Sequence, residues 1–208
     1  MTSRYCTQVM LGMQAAAAYF PRTETVLTGT PLRPEILRQP TRREAAAIFG
    51  LQADCPTVLV TGGSQGAQRL NELCAQAAGQ LNGEVQFLQI AGSADFARIS
   101  AMAEGRSYHR VIGFCDQMAA AYALADLVIA RAGASSLTEI GALGKVSILG
   151  PYPYAADDHQ TANAKVFADA GAAVMAAESD LSASHLSKLI RELLQDSERC
   201  KKMAAAAR

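Results

Sequence analysis

The chain is poor in the residues that build metal centres and disulfide frameworks. Histidine occurs only three times in 208 residues, at scattered positions. No CxxC pair occurs, and the five cysteines are far apart, at Cys6, Cys55, Cys74, Cys115 and Cys200. We therefore expect neither a zinc cluster nor a disulfide framework, and we expect the cysteines to be buried free thiols.

An excess of charge of either sign is also missing. Lysine and arginine together number 19, and aspartate and glutamate together also number 19. This balance gives no electrostatic reason to expect a nucleic acid or an anionic membrane surface as a partner. Half of the residues are apolar, and the chain is long enough to form one globular domain with its own core.

Hydrophobic runs long enough to cross a membrane are missing too. The apolar segment at 9–20 is shorter than the roughly 20 residues that span a bilayer. It follows Arg4 and contains small residues, so one interpretation is a signal peptide. We favour a helix that belongs to another domain. Its apolar face would then be exposed and would promote self-association.

The rest of the chain alternates between apolar strand patterns and helical patterns. Strands are predicted at 24–28, 57–61, 85–90, 110–113, 127–130, 146–149 and 173–176. Helices are predicted at about 34–49, 66–81, 94–104, 116–124, 135–144, 159–170 and 182–206. Such alternation predicts an α/β fold with a doubly wound, Rossmann-like parallel sheet. Ligands of such sheets bind outside the carboxyl ends of the strands.

The sequence TVLVTGGSQGAQRLN at 57–71 is the first of two strand-turn-helix units. Gly62 and Gly63 follow the strand, and a helix with Leu70 on its apolar face comes next. Glycines let a phosphate approach the backbone, and the free N–H groups of a helix start attract an anion. The spacing matches neither a Walker loop nor the dinucleotide fingerprint. Two interpretations of this unit therefore stand, a phosphate loop and a purely structural turn.

The second unit is LVIARAGASSLTEIGALGK at 127–145. Ser135, Ser136 or Thr138 is predicted to cap the helix that follows the strand. Glu139 lies in the opening turns of this helix. Its carboxylate could stabilise the helix dipole, or it could accept hydrogen bonds from paired ribose hydroxyls.

Four motifs carry a resemblance to a known family. They are TGTPLR (28–33), GGSQGA (62–67), GFCDQMAAAYALADLVIARAGASSLTEI (113–140) and GPYPYAADDHQTANA (150–164). Together they resemble the MurG family of bacterial N-acetylglucosaminyltransferases, which belongs to glycosyltransferase family 28 and has the GT-B fold. The resemblance implies the UDP-N-acetylglucosamine-binding portion of an inverting enzyme that converts lipid I to lipid II in peptidoglycan synthesis.

The resemblance also implies how the chain is divided. Residues 1–28 match the end of the acceptor domain and the interdomain segment, and 29–208 match the UDP-sugar-binding domain, cut at its C-terminus. The family's GxGGH-type loop does not occur in this sequence. Since the family places its candidate bases in the amino-terminal domain, we expect no confident catalytic residue here and no transfer by this chain alone.

For the diphosphate, the resemblance implies ligands in three places. Ser64 matches a position whose side chain and neighbouring amides meet the diphosphate, and Arg33 matches an arginine that reaches the phosphates. Ala134, Ser135 and Ser136 match a helix start that lies against the α-phosphate and the sugar. The simpler alternatives are a helix N-cap for Ser64 and an exposed loop residue for Arg33.

For uridine, the resemblance implies a backbone site and a carboxylate. The backbone at Phe114 and Cys115 is expected to read the edge of uracil, and Glu139 is expected to bind the ribose. Met118 would lie near the base, although a methionine on a helix is more often part of the core.

For the donor sugar, the resemblance implies His159, Gln160 and Asn163. Gln160 and Asn163 lie one helical turn apart and offer both donors and acceptors to hydroxyl groups. His159 is expected to bind the sugar, with a helix-start polar residue and a general base as alternatives. We interpret Asp157 and Asp158 as solvated caps and not as metal ligands.

The expected partners follow from the same resemblance. They are the UDP-N-acetylglucosamine donor, a lipid-linked muramyl-pentapeptide acceptor bound through the missing domain, and the amino-terminal half itself. No cofactor and no nucleic acid are expected. The expected location is cytoplasmic, with the full-length family peripheral on the inner face of the cytoplasmic membrane. The alternatives are a separate donor-binding subunit of a two-subunit enzyme, a non-catalytic nucleotide-sugar module and a UDP-sugar epimerase.

Overall fold

The computed structural model describes residues 5–62, 67–152, 155 and 158–208, apart from the side chain of Ala15. The five cysteines all lie in these ranges, and none of them forms a disulfide. Cys74 and Cys115 are buried as expected, whereas Cys6 is exposed, so the prediction of buried thiols is wrong for Cys6. No helix in these ranges combines the length and the apolar character needed to cross a bilayer.

The first two strands form a small sheet of their own. Strand β1 (Gln8–Leu11) pairs in parallel with β2 (Glu24–Leu27), and a 3₁₀ helix at Gln14–Tyr19 lies between them. The prediction of a helix across 9–20 is therefore wrong, because the apolar residues of β1 find backbone partners in β2. Met10 is 73% exposed and Tyr19 is 69% exposed, so an apolar surface is open here as expected.

The remaining strands form one parallel sheet. They are β3 (Thr57–Thr61), β4 (Gln86–Ile90), β5 (His109–Ile112), β6 (Leu127–Ala130), β7 (Ser147–Leu149) and β8 (Ala173–Met175). Their spatial order is β5, β4, β3, β6, β7, β8, and every neighbouring pair is parallel. This is the doubly wound order, so the predicted fold class is confirmed.

Helices connect the strands and cover both faces of the sheet. They are α1 (Pro34–Leu37), α2 (Arg42–Phe49), α3 (Gln68–Leu81), α4 (Phe96–Met102), α5 (Met118–Leu124), α6 (Ala134–Leu143), α7 (His159–Asp169), α8 (Ala183–Gln195) and α9 (Ser197–Ala207). Each predicted helix from residue 34 onward has a counterpart, but two of the predictions combine two helices.

Capping signals explain both divisions. Pro40 lies between α1 and α2, and Thr41 begins α2 with a capping box in which its side chain accepts from the Glu44 amide. Asp196 lies between α8 and α9, and its side chain accepts from the Arg199 amide at the start of α9. Each cap satisfies backbone donors that a continuous helix would have satisfied internally.

The core lies on both faces of the sheet because successive side chains of a strand point in opposite directions. Leu59 of β3 packs in the core on one face together with Tyr122 of α5. Val58 and Val60 pack in the core on the other face together with Leu70 of α3. All of these side chains are fully buried.

The two strand-turn-helix units meet at the centre of the sheet. Strand β3 ends at Thr61 and β6 ends at Ala130, and the two strands are neighbours. The chain winds outward in opposite directions from this pair, so the carboxyl ends of β3 and β6 border the topological switch point. A ligand crevice is expected at this place.

Candidate nucleotide-sugar site

The helix that follows β6 begins without a side-chain cap. Gly133 is the N-cap residue of α6 and makes no capping side-chain bond. The prediction that Ser135, Ser136 or Thr138 caps the helix is wrong, since these residues lie inside the helix and the Thr138 hydroxyl donates to the Ala134 carbonyl at 2.9 Å. Gly133 therefore offers no side chain to the first-turn amides of α6, and uncapped amides at a helix start attract anions.

Glu139 and Arg33 come together although 106 residues separate them. The Arg33 guanidinium donates through Nη2 to Glu139 Oε1 at 2.9 Å. The Glu139 side chain is only 12% exposed, whereas that of Arg33 is 58% exposed. This hydrogen bond raises the pKa of Arg33 above its ordinary value. The Glu139 carboxylate is therefore held beside a solvent-facing cation.

Tyr122 is a third member of this cluster, and sequence reasoning did not find it. It is fully buried in α5, and its side chain lies close to the Glu139 carboxylate. Burial, reinforced by the neighbouring carboxylate, raises the pKa of Tyr122 well above its ordinary value, so the phenol stays protonated. The sequence did not indicate a polar role for Tyr122, because a tyrosine in an apolar helix is usually interpreted as a core residue.

The position of Glu139 argues against a role in helix stabilisation. No acidic residue lies in the first turn of α6, and Glu139 is the sixth residue of that helix. The favourable effect of the helix dipole on a carboxylate falls off within the first turn. The dipole of α6 therefore does not account for the position of this carboxylate.

The predicted base-recognition segment follows β5. The Phe114 side chain is 74% exposed, whereas Cys115 is 8% exposed. Burial raises the pKa of the Cys115 thiol, so it is neutral near pH 7. Met118 is partly buried and packs against the core, which supports the structural interpretation of this residue.

The predicted sugar residues lie at the start of α7. The Asn163 amide donates to the Ala132 carbonyl at 3.1 Å, and Gln160 Oε1 accepts from the Tyr152 amide at 3.0 Å. These bonds use one group of each side-chain amide and tie α7 to two loops at the carboxyl edge of the sheet. His159 is exposed.

The predictions for Ser64, Asp157 and Asp158 have different outcomes. Ser64 and Asp157 lie outside the described residues. Asp158 is the N-cap residue of α7 with a left-handed backbone, but its side chain makes no capping bond. The cap interpretation of Asp158 is therefore wrong, and its exposed carboxylate faces solvent.

Comparison with known proteins decides the family. The profile of the glycosyltransferase family 28 C-terminal domain matches residues 57–208. The chain belongs to glycosyltransferase family 28. The resemblance read from the four sequence motifs is thus confirmed, and all the candidate site residues except Arg33 lie within the matched range.

Two relatives show the extent of the similarity. The chain is 40% identical over 209 residues to the UDP-N-acetylglucosamine–N-acetylmuramyl-(pentapeptide) pyrophosphoryl-undecaprenol N-acetylglucosamine transferase of Chlorobaculum parvum, covering 100% of this chain and 57% of that protein. The enzyme of the same name from Geobacter sulfurreducens is 36% identical over 211 residues, covering 100% of this chain and 57% of that protein. The chain therefore spans little more than half the length of these relatives.

Solved structures agree with the fold. The crystal structure of Acinetobacter baumannii MurG superposes with a TM-score of 0.76 at 34% identity, covering 99% of this chain and 56% of that one. Phytolacca americana UGT2 superposes with a TM-score of 0.67 over 99% of this chain and 49% of that one. Its identity is 16%, so the likeness to UGT2 shows the fold alone.

A buried ion pair beside the family 28 site was also missed in the sequence. Arg131 follows β6 and Glu178 follows β8, and their side chains are 7% and 8% exposed. Arg131 Nη2 lies 2.6 Å from Glu178 Oε1. The contact is an ion pair but not an aligned hydrogen bond, because Glu178 Oε1 has no hydrogen-bond partner among the described residues. The two residues are 47 positions apart, and no local pattern marks such a pair.

Proposed function

We propose that this chain is the UDP-N-acetylglucosamine-binding portion of an inverting N-acetylglucosaminyltransferase that converts lipid I to lipid II in peptidoglycan synthesis. The names of the family 28 relatives describe this transfer. Residues 1–28 would belong to the acceptor side, and 29–208 would bind the donor. The lipid-linked muramyl-pentapeptide would bind through the amino-terminal half, on the inner face of the cytoplasmic membrane.

One observation carries this proposal. At the switch point of the sheet, the Glu139 carboxylate lies beside the Arg33 guanidinium and on a helix whose N-cap residue, Gly133, has no side chain to cap the first-turn amides. A carboxylate accepts from two ribose hydroxyls, and the cation and the amides meet the diphosphate. These groups are therefore complementary to the ribose and to the diphosphate of a nucleoside diphosphate.

The remaining candidates extend the site on both sides. The backbone at Phe114 and Cys115 would read uracil, and Ser64 would join Ala134, Ser135 and Ser136 at the phosphates. His159, Gln160 and Asn163 would meet the sugar from α7. In the transfer step, an acceptor hydroxyl attacks the anomeric carbon and UDP leaves. Helix-start amides and Arg33 would stabilise the charge that grows on the leaving diphosphate.

Base choice provides the test. UDP should bind about tenfold more tightly than ADP or GDP, because backbone groups fit the edge of uracil but not that of a purine. Isothermal titration calorimetry on the purified chain measures the three affinities. Equal affinities for the three nucleotides would refute the assignment.

Phosphate recognition is tested in the same experiment. UDP binding should persist in EDTA, since Arg33 and helix amides carry the phosphate charge without a divalent ion. A strict requirement for magnesium would contradict this part of the proposal. A titration with uridine serves as the control that lacks both phosphates.

A further inference from the structure

The buried Arg131–Glu178 pair is connected to the loop that precedes α7. Arg131 Nη1 donates to the carbonyls of Gly150 and Pro151, at 3.0 and 3.2 Å. The Arg131 guanidinium also lies 5.2 Å from the centroid of the Tyr152 ring, in cation–π contact. One buried cation therefore holds three consecutive residues at the point where the chain leaves β7.

The loop in turn holds a residue of the proposed sugar site. The backbone amide of Tyr152 donates to Gln160 Oε1 at 3.0 Å. This bond fixes the orientation of the Gln160 amide, because its oxygen is committed to the loop and its NH₂ group must point elsewhere. An unbroken series of contacts thus runs from Glu178 through Arg131 and Tyr152 to Gln160.

Glu178 forms a buried ion pair with Arg131, and stability alone does not explain this pair. Replacing a buried ion pair by apolar residues is often neutral or stabilising, so burial of such a pair is weak evidence for a role in stability alone. Arg131 makes its hydrogen bonds with the loop carbonyls, and Glu178 supplies the negative charge that keeps the guanidinium in place. The two buried charges therefore order the loop that precedes α7.

We infer that Arg131 and Glu178 are positioning residues that set the preference for the donor sugar by holding residues 150–152 and, through the Tyr152 amide, the side chain of Gln160. The inference rests on the proposed function, since it concerns the same donor site. It assigns neither residue a contact with the ligand. Weakening the pair should reduce the preference for one donor sugar over another. The affinity for UDP should stay nearly unchanged, because the proposed UDP-binding residues lie on α6 and after β5.

The test compares UDP-N-acetylglucosamine with its C4 epimer, UDP-N-acetylgalactosamine, and with UDP. Glu178→Gln keeps the shape of the side chain but removes its charge. The preference of the wild-type chain for the gluco sugar should fall about fivefold in this variant, the scale of one lost hydrogen bond, whereas UDP affinity should change less than about twofold. Calorimetry at a temperature where circular dichroism shows both chains folded gives the ratios.

Asp126→Asn is the matched control. Asp126 pairs with Arg42 at 2.7 Å at the opposite edge of the sheet, before β6, and this variant also removes one carboxylate charge from an ion pair. It should leave the sugar ratio unchanged. In a Gln160→Ala background, Glu178→Gln should no longer alter the ratio, because the residue through which it acts is gone.

A second variant serves if Glu178→Gln does not fold. Tyr152 is 42% exposed, so Tyr152→Leu removes the ring over Arg131 with little loss of core, and it should shift the ratio in the same direction. An unchanged ratio in the folded variants, or an equal loss for UDP, would overturn the inference. So would a wild-type chain that binds the two sugars equally. Failure to prefer UDP over ADP would instead refute the proposed function.

Discussion

Acidification from pH 7 to pH 4 is expected to reduce the free energy of unfolding by about 3 kcal/mol through His109 alone. Burial and then the charge of Arg106 lower the pKa of His109 to about 4 in the folded chain. Its Nε2 lies 2.9 Å from Gln89 Oε1 and donates to it, since the Gln89 amide nitrogen already donates to Asn71. A second proton would enter at Nδ1, which has no hydrogen-bond partner among the described residues.

The sign follows from proton binding in the two states. The unfolded chain takes up a proton at His109 near the ordinary pKa of 6.5, whereas the folded chain does so only near pH 4. Between these values the unfolded state binds more protons, so stability falls as the pH falls. The effect begins below about pH 7 and is complete only below the folded pKa of about 4.

Urea denaturation at several pH values measures this loss. Carboxylates contribute too, because the pKa of Asp95 is lowered in the folded chain, so the diagnostic quantity is the difference between variants. His109→Gln keeps a donor toward Gln89 and does not titrate, so its stability should decline much less over this range. The matched control is His185→Gln in α8, where the histidine is exposed and the pH profile should stay that of the wild type. Parallel profiles for the wild type and His109→Gln would contradict the prediction.

Local sequence patterns were sufficient to predict the central sheet. Strands β3, β6, β7 and β8 are short, mainly apolar runs, and parallel strands buried on both faces have this signature. Three of the four family motifs begin at the carboxyl edge because they follow strands of the central sheet, whereas TGTPLR follows β2 of the small sheet. Errors arose where pairing between segments decided the structure. The apolar residues of β1 are compatible with a helix or a strand until β2 is known to lie beside them.

The candidate site was predictable to the extent that its residues lie in motifs. Arg33 and Glu139 were both named from motifs, but the contact between them depends on how α1 packs against α5, which no spacing reveals. Tyr122, Arg131 and Glu178 were missed because each is a polar residue inside an apolar element or beside one. Buried polar side chains are identified by their partners, and partners are set by the tertiary fold.

The proposed site therefore has two layers that differ in their exposure to solvent. Phe114, Ser135 and His159 face solvent, where a ligand can reach them. Tyr122 and the Arg131–Glu178 pair lie beneath and hold the side chains and loops above. In the proposed donor site, this arrangement would restrict the rotamers of Glu139 and Gln160 before the donor binds and so reduce the entropy lost on binding.

Loss of the Glu139 carboxylate is expected to produce a large change in nucleotide affinity. Glu139→Ala should weaken UDP binding by roughly 1.5–3 kcal/mol, or about 10- to 150-fold, the scale for hydrogen bonds to a charged group. The carboxylate is held by Arg33 at 2.9 Å and by Tyr122, so its removal also releases Arg33. A released guanidinium remains available to the phosphates, and the loss should therefore fall on the ribose.

Substrate analogues separate the ribose role from a structural one. 2′-Deoxy-UDP already lacks one partner hydroxyl, so Glu139→Ala should weaken its binding much less than that of UDP. Glu35→Ala is the matched control, because it removes another carboxylate near Arg33 that lies on α1 and not on α6. That variant should bind UDP like the wild type. If Glu139→Ala weakened UDP and 2′-deoxy-UDP by the same factor, the carboxylate would act only by holding Arg33 or α6, and the assignment of the ribose site would fail.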